Sequence, residues 1–183
     1  MKKTWVVLLS ILAIAPVWAQ DEIWPKSPQL EALIVELKQL YATDNLSELK
    51  QEHMTQVDNL SFFILYIDKP EAPEHKLLKA YLWGMQEAHI RSINEQIRTN
   101  VVPWFCPKGQ LRNYSHLAPN PTQFVEQLIW RGIDYNLKYA PNRFRRPDMF
   151  AAFGTSSGFI TDGLQDKYPC YQLQQSARVL QER

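Results

Sequence analysis

The sequence predicts an all-α fold: a small domain of about five to six helices stapled by one disulfide. Three observations carry that prediction. Apolar residues recur at i, i+3, i+4 and i+7 spacing along most of the chain, and the prolines beyond the N-terminus fall at the edges of those stretches. The chain has only two cysteines, Cys106 and Cys170, in the contexts F-C-P and Y-P-C, and an export-like N-terminus precedes them. Their pairing closes a loop across 64 residues, a crosslink the chain-entropy model places at roughly 4 kcal/mol.

The N-terminus begins with Lys2 and Lys3, followed by an apolar run from Trp5 to Val17 and by Val17-Trp18-Ala19, which suits the −3 and −1 positions of a cleavage site. The run is shorter than the roughly 20 residues that span a bilayer, so a signal peptide cut after Ala19 is expected rather than an anchor. Residues 20–183 are then expected to form a single periplasmic domain without stable membrane insertion. Loss of Lys2 and Lys3 takes the formal charge from +1 to −1, which argues against nucleic acid as a partner, because that needs a basic face.

Along this domain, Gln20 to Ser27 reads as a polar lead-in. Pro28 opens a helix whose buried side carries Leu30, Leu33, Ile34, Leu37, Leu40 and Tyr41. Asp44-Asn45 breaks it, and a weaker helix runs through Leu46, Leu49 and His53. L-S-F-F-I-L-Y-I, residues 60–67, fits a buried helix or a short strand equally well by period, and helix is the choice adopted. After Pro70 and Pro73 comes the longest pattern, from Glu74 through Leu78, Tyr81, Leu82, Met85, His89, Ile93 and Ile97 to Pro103. Gly84 within it suggests a close approach by another element. Residues 107–121 are turn-rich. Thr122 opens a helix carrying Phe124, Val125, Leu128, Ile129 and Ile133 and running on to Pro141. Asn142 to Arg146 is a basic link, and Pro147-Asp148 begins one further helix through Phe153, Ile160 and Leu164 that stops before Pro169. Residues 171–183 are a tail.

The catalytic signals are weak. Gly154-Thr155-Ser156-Ser157-Gly158 matches G-x-S-x-G, but a nucleophile elbow needs a strand before the serine and a histidine after it. Here a helical pattern precedes Ser156 and the last histidine is His116. Small residues packing two helices together account for the motif better. His53, His75, His89 and His116 form no metal-binding spacing, and His89 reads as a satisfied core histidine. Neither cysteine has the setting of a redox thiolate. Glu87 and Glu95 read as solvated. Hence no catalytic residue, metal or cofactor is predicted. Arg143, Arg145 and Arg146, with Arg131 one or two turns earlier, fit equally a basic corner suited to a partner's anionic groups and ordinary solvated charge. Trp83, Trp104, Trp130, Tyr135 and Tyr139 read mostly as core, with Trp130 off the apolar face of its helix.

With those residues in view, the segment from about Leu78 to Cys170 resembles the Rap/Tai family of immunity proteins, which protect bacteria against peptidoglycan amidases delivered by type VI secretion. The resemblance rests on Tyr81-x-x-Gly84 in a long helix, Cys106-Pro107 after it, Tyr135-Asn136-Leu137 followed by Pro141, and the closing Tyr168-Pro169-Cys170. It implies a small helical periplasmic protein, commonly a homodimer, that binds a secreted amidase effector and occludes its cleft, with Cys106 and Cys170 as its disulfide. The helices before Pro73 lie outside the resemblance, and the loop after Cys106 is long. That polar loop, 108–120, is the first expected contact, with Lys108, Tyr114 and His116 as contact residues; Arg143, Arg145 and Arg146 are the second. The alternative of another class is a helical structural or chaperone-like protein, which would display a broad apolar patch.

Overall fold

The structure, a computed structural model of the chain, describes residues 23–42, 46–101, 104–107, 109–111 and 119–170. The expected signal peptide and its cleavage after Ala19, Lys108, Tyr114, His116 and the tail beyond Cys170 lie outside the described residues. Within them the fold is all-α. Seven α-helices follow in order: α1 Pro28–Tyr41, α2 Glu48–Met54, α3 Leu60–Tyr66, α4 Pro73–Arg98, α5 Gln123–Tyr139, α6 Pro147–Phe153 and α7 Ser156–Lys167, with a 3-10 turn at Pro141–Phe144. The segment 60–67 is therefore helical up to Tyr66. No helix among the described residues is long and apolar enough to cross a membrane.

Local chemistry sets most boundaries. Ser27 caps α1, its hydroxyl accepting from the Leu30 N–H at 3.1 Å, and Pro28 follows at the first helical position. The lead-in is not loose: the Trp24 indole N–H donates to Asp134 of α5 at 2.8 Å, and the Arg131 guanidinium lies 4.3 Å from the centre of the Trp24 ring. Residues 23–27 thus strap α1 onto α5. The long helix α4 stops at Arg98, before Pro103. Asn100 adopts φ 56°, the Val101 N–H reaches the Gln96 carbonyl and the Asn100 N–H reaches Ile97, which is a Schellman closure. The N-terminus of α5 takes its cap from another helix: Gln86, fully buried on α4, accepts from the Val125 N–H and donates to the Pro121 carbonyl at 2.7 Å.

The expected single helix from Pro147 to Leu164 is two. Gly154 is extended after α6, and the Thr155 hydroxyl caps α7 by accepting from the Gly158 N–H at 3.2 Å. The break is held from outside, since the Leu60 N–H donates to the Gly154 carbonyl and the Ser156 N–H donates to the Asp58 carbonyl. That pairing across the chain is invisible to helical periodicity.

The core lies where α5 and α7 meet α1, α3 and α4. Leu37, Phe63, Leu82, Ile129 and Ile160 are each completely buried, and such side chains contribute about 1.5–3 kcal/mol apiece. The closest approach is between α5 and α7. A Cβ added to Gly132 would lie 2.1 Å from the Phe159 carbonyl oxygen, and one added to Gly163 would lie 2.1 Å from that of Leu128. Gly84, expected to mark such a contact, has nothing within 4 Å of its Cβ position. Trp130 is buried, its ring 4.8 Å from Phe63; α3 covers the side of α5 that the apolar stripe leaves open.

Candidate partner-binding surface

The disulfide anchors the surface. Cys106 and Cys170 are bonded with their Cα atoms 4.8 Å apart, and the Cys106 N–H donates to the Tyr168 carbonyl at 2.8 Å. Phe105, buried next to Cys106, packs against Trp104 and Tyr168. The segment after α4 is thereby fixed to the end of α7.

The flanks of the loop 108–120 are tied to α4. Asn94 accepts from the Leu111 N–H at 2.8 Å and donates to the Leu111 carbonyl at 3.1 Å. At the other flank, Lys79 donates to Asn120 at 2.8 Å and pairs with the buried Glu126, which also accepts from Thr122 and Asn120. Lys79, Gln86 and Asn94 of one helix therefore fix both ends of that loop.

The arginine corner is divided in role. Arg143 donates to Asn136 at 2.5 Å and lies 3.9 Å from Asp162, while Asn136, buried on α5, donates to Asp162 at 2.6 Å. Arg143 thus locks the 3-10 turn onto α5 and α7. Arg146 lies 3.6 Å from Asp148, which also pairs with Lys50 of α2 at 2.5 Å; the hydrogen bond from Lys50 holds the Asp148 carboxyl below the usual carboxylate range. Arg145 is exposed and has no ion-pair partner among the described residues. On α6, Met149 and Phe153 are 38% and 42% exposed, and with Arg143, Phe150 and Phe159 they border a cavity of about 310 Å³. Of the three arginines, Arg145 alone lacks an ion-pair partner among the described residues, and the exposure of Met149 and Phe153 goes with α6 being a separate helix rather than the start of a longer packed one.

A second face carries aromatic rings that periodicity assigns to the core. Trp104, Tyr135 and Tyr139 are 44%, 38% and 62% exposed, with the two tyrosine rings 4.8 Å apart. Tyr135 and Tyr139 continue the stripe of Leu128 and Gly132 at i+7 and i+11, so no sequence signal marks them as uncovered.

Neither serine of the G-x-S-x-G stretch is exposed. Ser156 is fully buried and its hydroxyl has no partner among the described residues. Ser157 next to it gives both its N–H, at 2.9 Å, and its hydroxyl, at 2.8 Å, to Asp58, which also accepts from the Tyr81 hydroxyl. The stretch is a helix break and cap rather than a contact between two helices; the small residues that pack helices together are Gly132 and Gly163. His53 stacks edge-on against Phe153, His75 bonds the Tyr66 carbonyl, and the buried Nε2 of His89 has no partner among the described residues, so His89 is not satisfied as expected. Burial lowers its pKa. Among the described residues, no three His, Cys, Asp or Glu side chains converge as metal ligands.

No protein-family model, curated protein or solved structure matches the chain.

Proposed function

We propose that this chain is a periplasmic binding protein, without catalysis of its own, that occludes a peptidoglycan amidase delivered by type VI secretion. The observation that carries the reading is the exposed pair Met149 and Phe153 of α6, bordering one cavity with Arg143, together with the exposed Arg145, which has no ion-pair partner among the described residues and ends the turn that Arg143 locks to α5 and α7. Arginine, methionine and aromatic residues are the types enriched where proteins bind each other. A pre-ordered corner also loses little freedom when it docks. The α4 side chains that tie the flanks of 108–120 support a second contact through that loop, where Tyr114 and His116 are the residues proposed to reach the enzyme. A chaperone-like role calls for one broad apolar patch, and the exposed aromatic face of Trp104, Tyr135 and Tyr139 is the observation that favours that second reading.

The test is inhibition of hydrolysis. Residues 20–183 are titrated into purified type VI amidase effectors acting on isolated peptidoglycan, alongside Arg145→Glu and Phe153→Asp variants that retain native helicity. Stoichiometric inhibition of one effector, weakened about tenfold or more by either variant, is the expected result. No inhibition of any effector in the panel overturns the reading. Inhibition that ignores both substitutions moves the contact to Tyr114 and His116.

A further inference from the structure

Two cavities share a wall made by Tyr135, Tyr139 and Asp166. One, of about 600 Å³, is bounded further by Trp24, Ser27 and Asp134; the other, of about 350 Å³, by Trp104, Gln165 and Tyr168. Both volumes fall within the range of small-ligand sites, about 300–1,000 Å³. Together they make a groove whose apolar surface is mainly aromatic rather than aliphatic.

Charge and hydrogen-bonding capacity narrow the occupant. Asp134 and Asp166 are accompanied by Arg131, which pairs with Asp166 at 2.5 Å, and by Lys138, whose ammonium lies 5.0 Å from the centre of the Tyr139 ring. Two carboxylates and two cations leave no net charge to draw in an ion. The acceptors are held in place: Asp134 is fixed by the Trp24 indole and by Ser27, and Asp166 by Arg131 through Oδ2, while Asp166 Oδ1 has no partner among the described residues. The Trp24 indole N–H is already used. The groove lays Tyr135, Tyr139 and Trp104 beside the carboxylates of Asp134 and Asp166 and the side-chain amides of Gln29 and Gln165, which can both donate and accept; that combination suits a ligand with flat C–H faces and many hydroxyls, each of which also donates and accepts.

We infer that the groove binds a neutral oligosaccharide, with pyranose rings lying on Tyr139, Tyr135 and Trp104 and hydroxyls donating to Asp166 and Gln165. This inference is independent of the amidase reading, because none of Arg143, Arg145, Arg146, Met149 and Phe153 lines either cavity.

The probe is the β-1,4-linked trimer of N-acetylglucosamine, titrated into residues 20–183 and followed by heat and by tryptophan fluorescence. Saturable binding with a dissociation constant of roughly 0.1–1 mM is expected, weakened about tenfold by Tyr139→Ala, whose ring is mostly exposed and whose loss leaves the core intact. Gln165→Ala, also at an exposed position, weakens it as well, and Arg145→Glu leaves it unchanged. Absence of saturable binding overturns the inference, as does equal affinity in the Tyr139→Ala and Gln165→Ala variants. Binding of a proline-rich peptide in place of the sugar also overturns it.

Discussion

Gly132 on α5 faces the Phe159 carbonyl on α7 so closely that a Cβ on Gly132 would lie 2.1 Å from that oxygen. Gly163 stands in the reciprocal relation to Leu128, so the two helices touch backbone to backbone at two points one turn apart on α5. Alanine at either position forces the helices apart. Gly132→Ala and Gly163→Ala are each expected to destabilise the fold by about 2–3 kcal/mol, the overpacking cost exceeding the gain in helix propensity. Gly84→Ala, in open space within α4, should act in the opposite direction by about 0.5–1 kcal/mol. Urea denaturation of the three variants checks both signs.

Asp58, in the turn between α2 and α3, joins α7 to α4, accepting from Ser157 at the start of α7 and from Tyr81 on α4. Burial and the neighbouring Asp58 carboxylate raise the Tyr81 pKa, so its hydroxyl remains a donor. Asp58→Ala removes the acceptor for two α7 donors and is expected to cost about 2–4 kcal/mol, with Tyr81→Phe costing about 1–2. Hydrogen exchange should place the first loss of protection at the start of α7; uniform loss across the chain would contradict a local role for Asp58.

His89 gives the fold a pH dependence of definite sign. Its pKa is lowered by burial below the ordinary 6.5, so the unfolded chain takes up a proton before the folded one does. Stability is therefore full above about pH 6.5 and declines as pH falls from there toward the folded-state pKa. His89→Leu should flatten that decline. Denaturation midpoints measured at about pH 7.5 and about pH 5.5, for the parent and the variant, make the comparison; parallel changes in both would assign the slope to other groups.

The disulfide is expected to contribute on the scale of its loop. Replacing both Cys106 and Cys170 by serine should lower stability by roughly 4 kcal/mol, measured by urea denaturation of the oxidised parent and the double variant. The Cys106–Tyr168 backbone hydrogen bond and the packing of Phe105 remain, so the double variant should keep its helicity in the absence of denaturant.

Much of the candidate surface was legible as residue types and little of it as geometry. The arginine corner stood out because three guanidiniums fall within four positions. Their different fates depend on Asn136 and Asp162, which come from two other helices, and on Asp148, which Lys50 of α2 also pairs with. Tyr135 and Tyr139 could not be recognised as exposed, since a helix presents the same stripe whether or not a neighbour covers it. Trp130 erred the other way: off the stripe, it is buried by Phe63 of α3.

By itself the sequence determined what depends on neighbours along the chain: the helical periods, the Ser27 cap before Pro28, and a disulfide with only one possible pairing among two cysteines. Tertiary structure decided what depends on distant partners. Trp24 meets Asp134 across 110 residues, Asp58 meets Ser157 across 99, and Gly132 meets the backbone of Phe159. The physical reason is that a turn of helix is stabilised within four residues, whereas the covering of a face and the satisfaction of a buried polar group are settled by whichever element arrives to pack there.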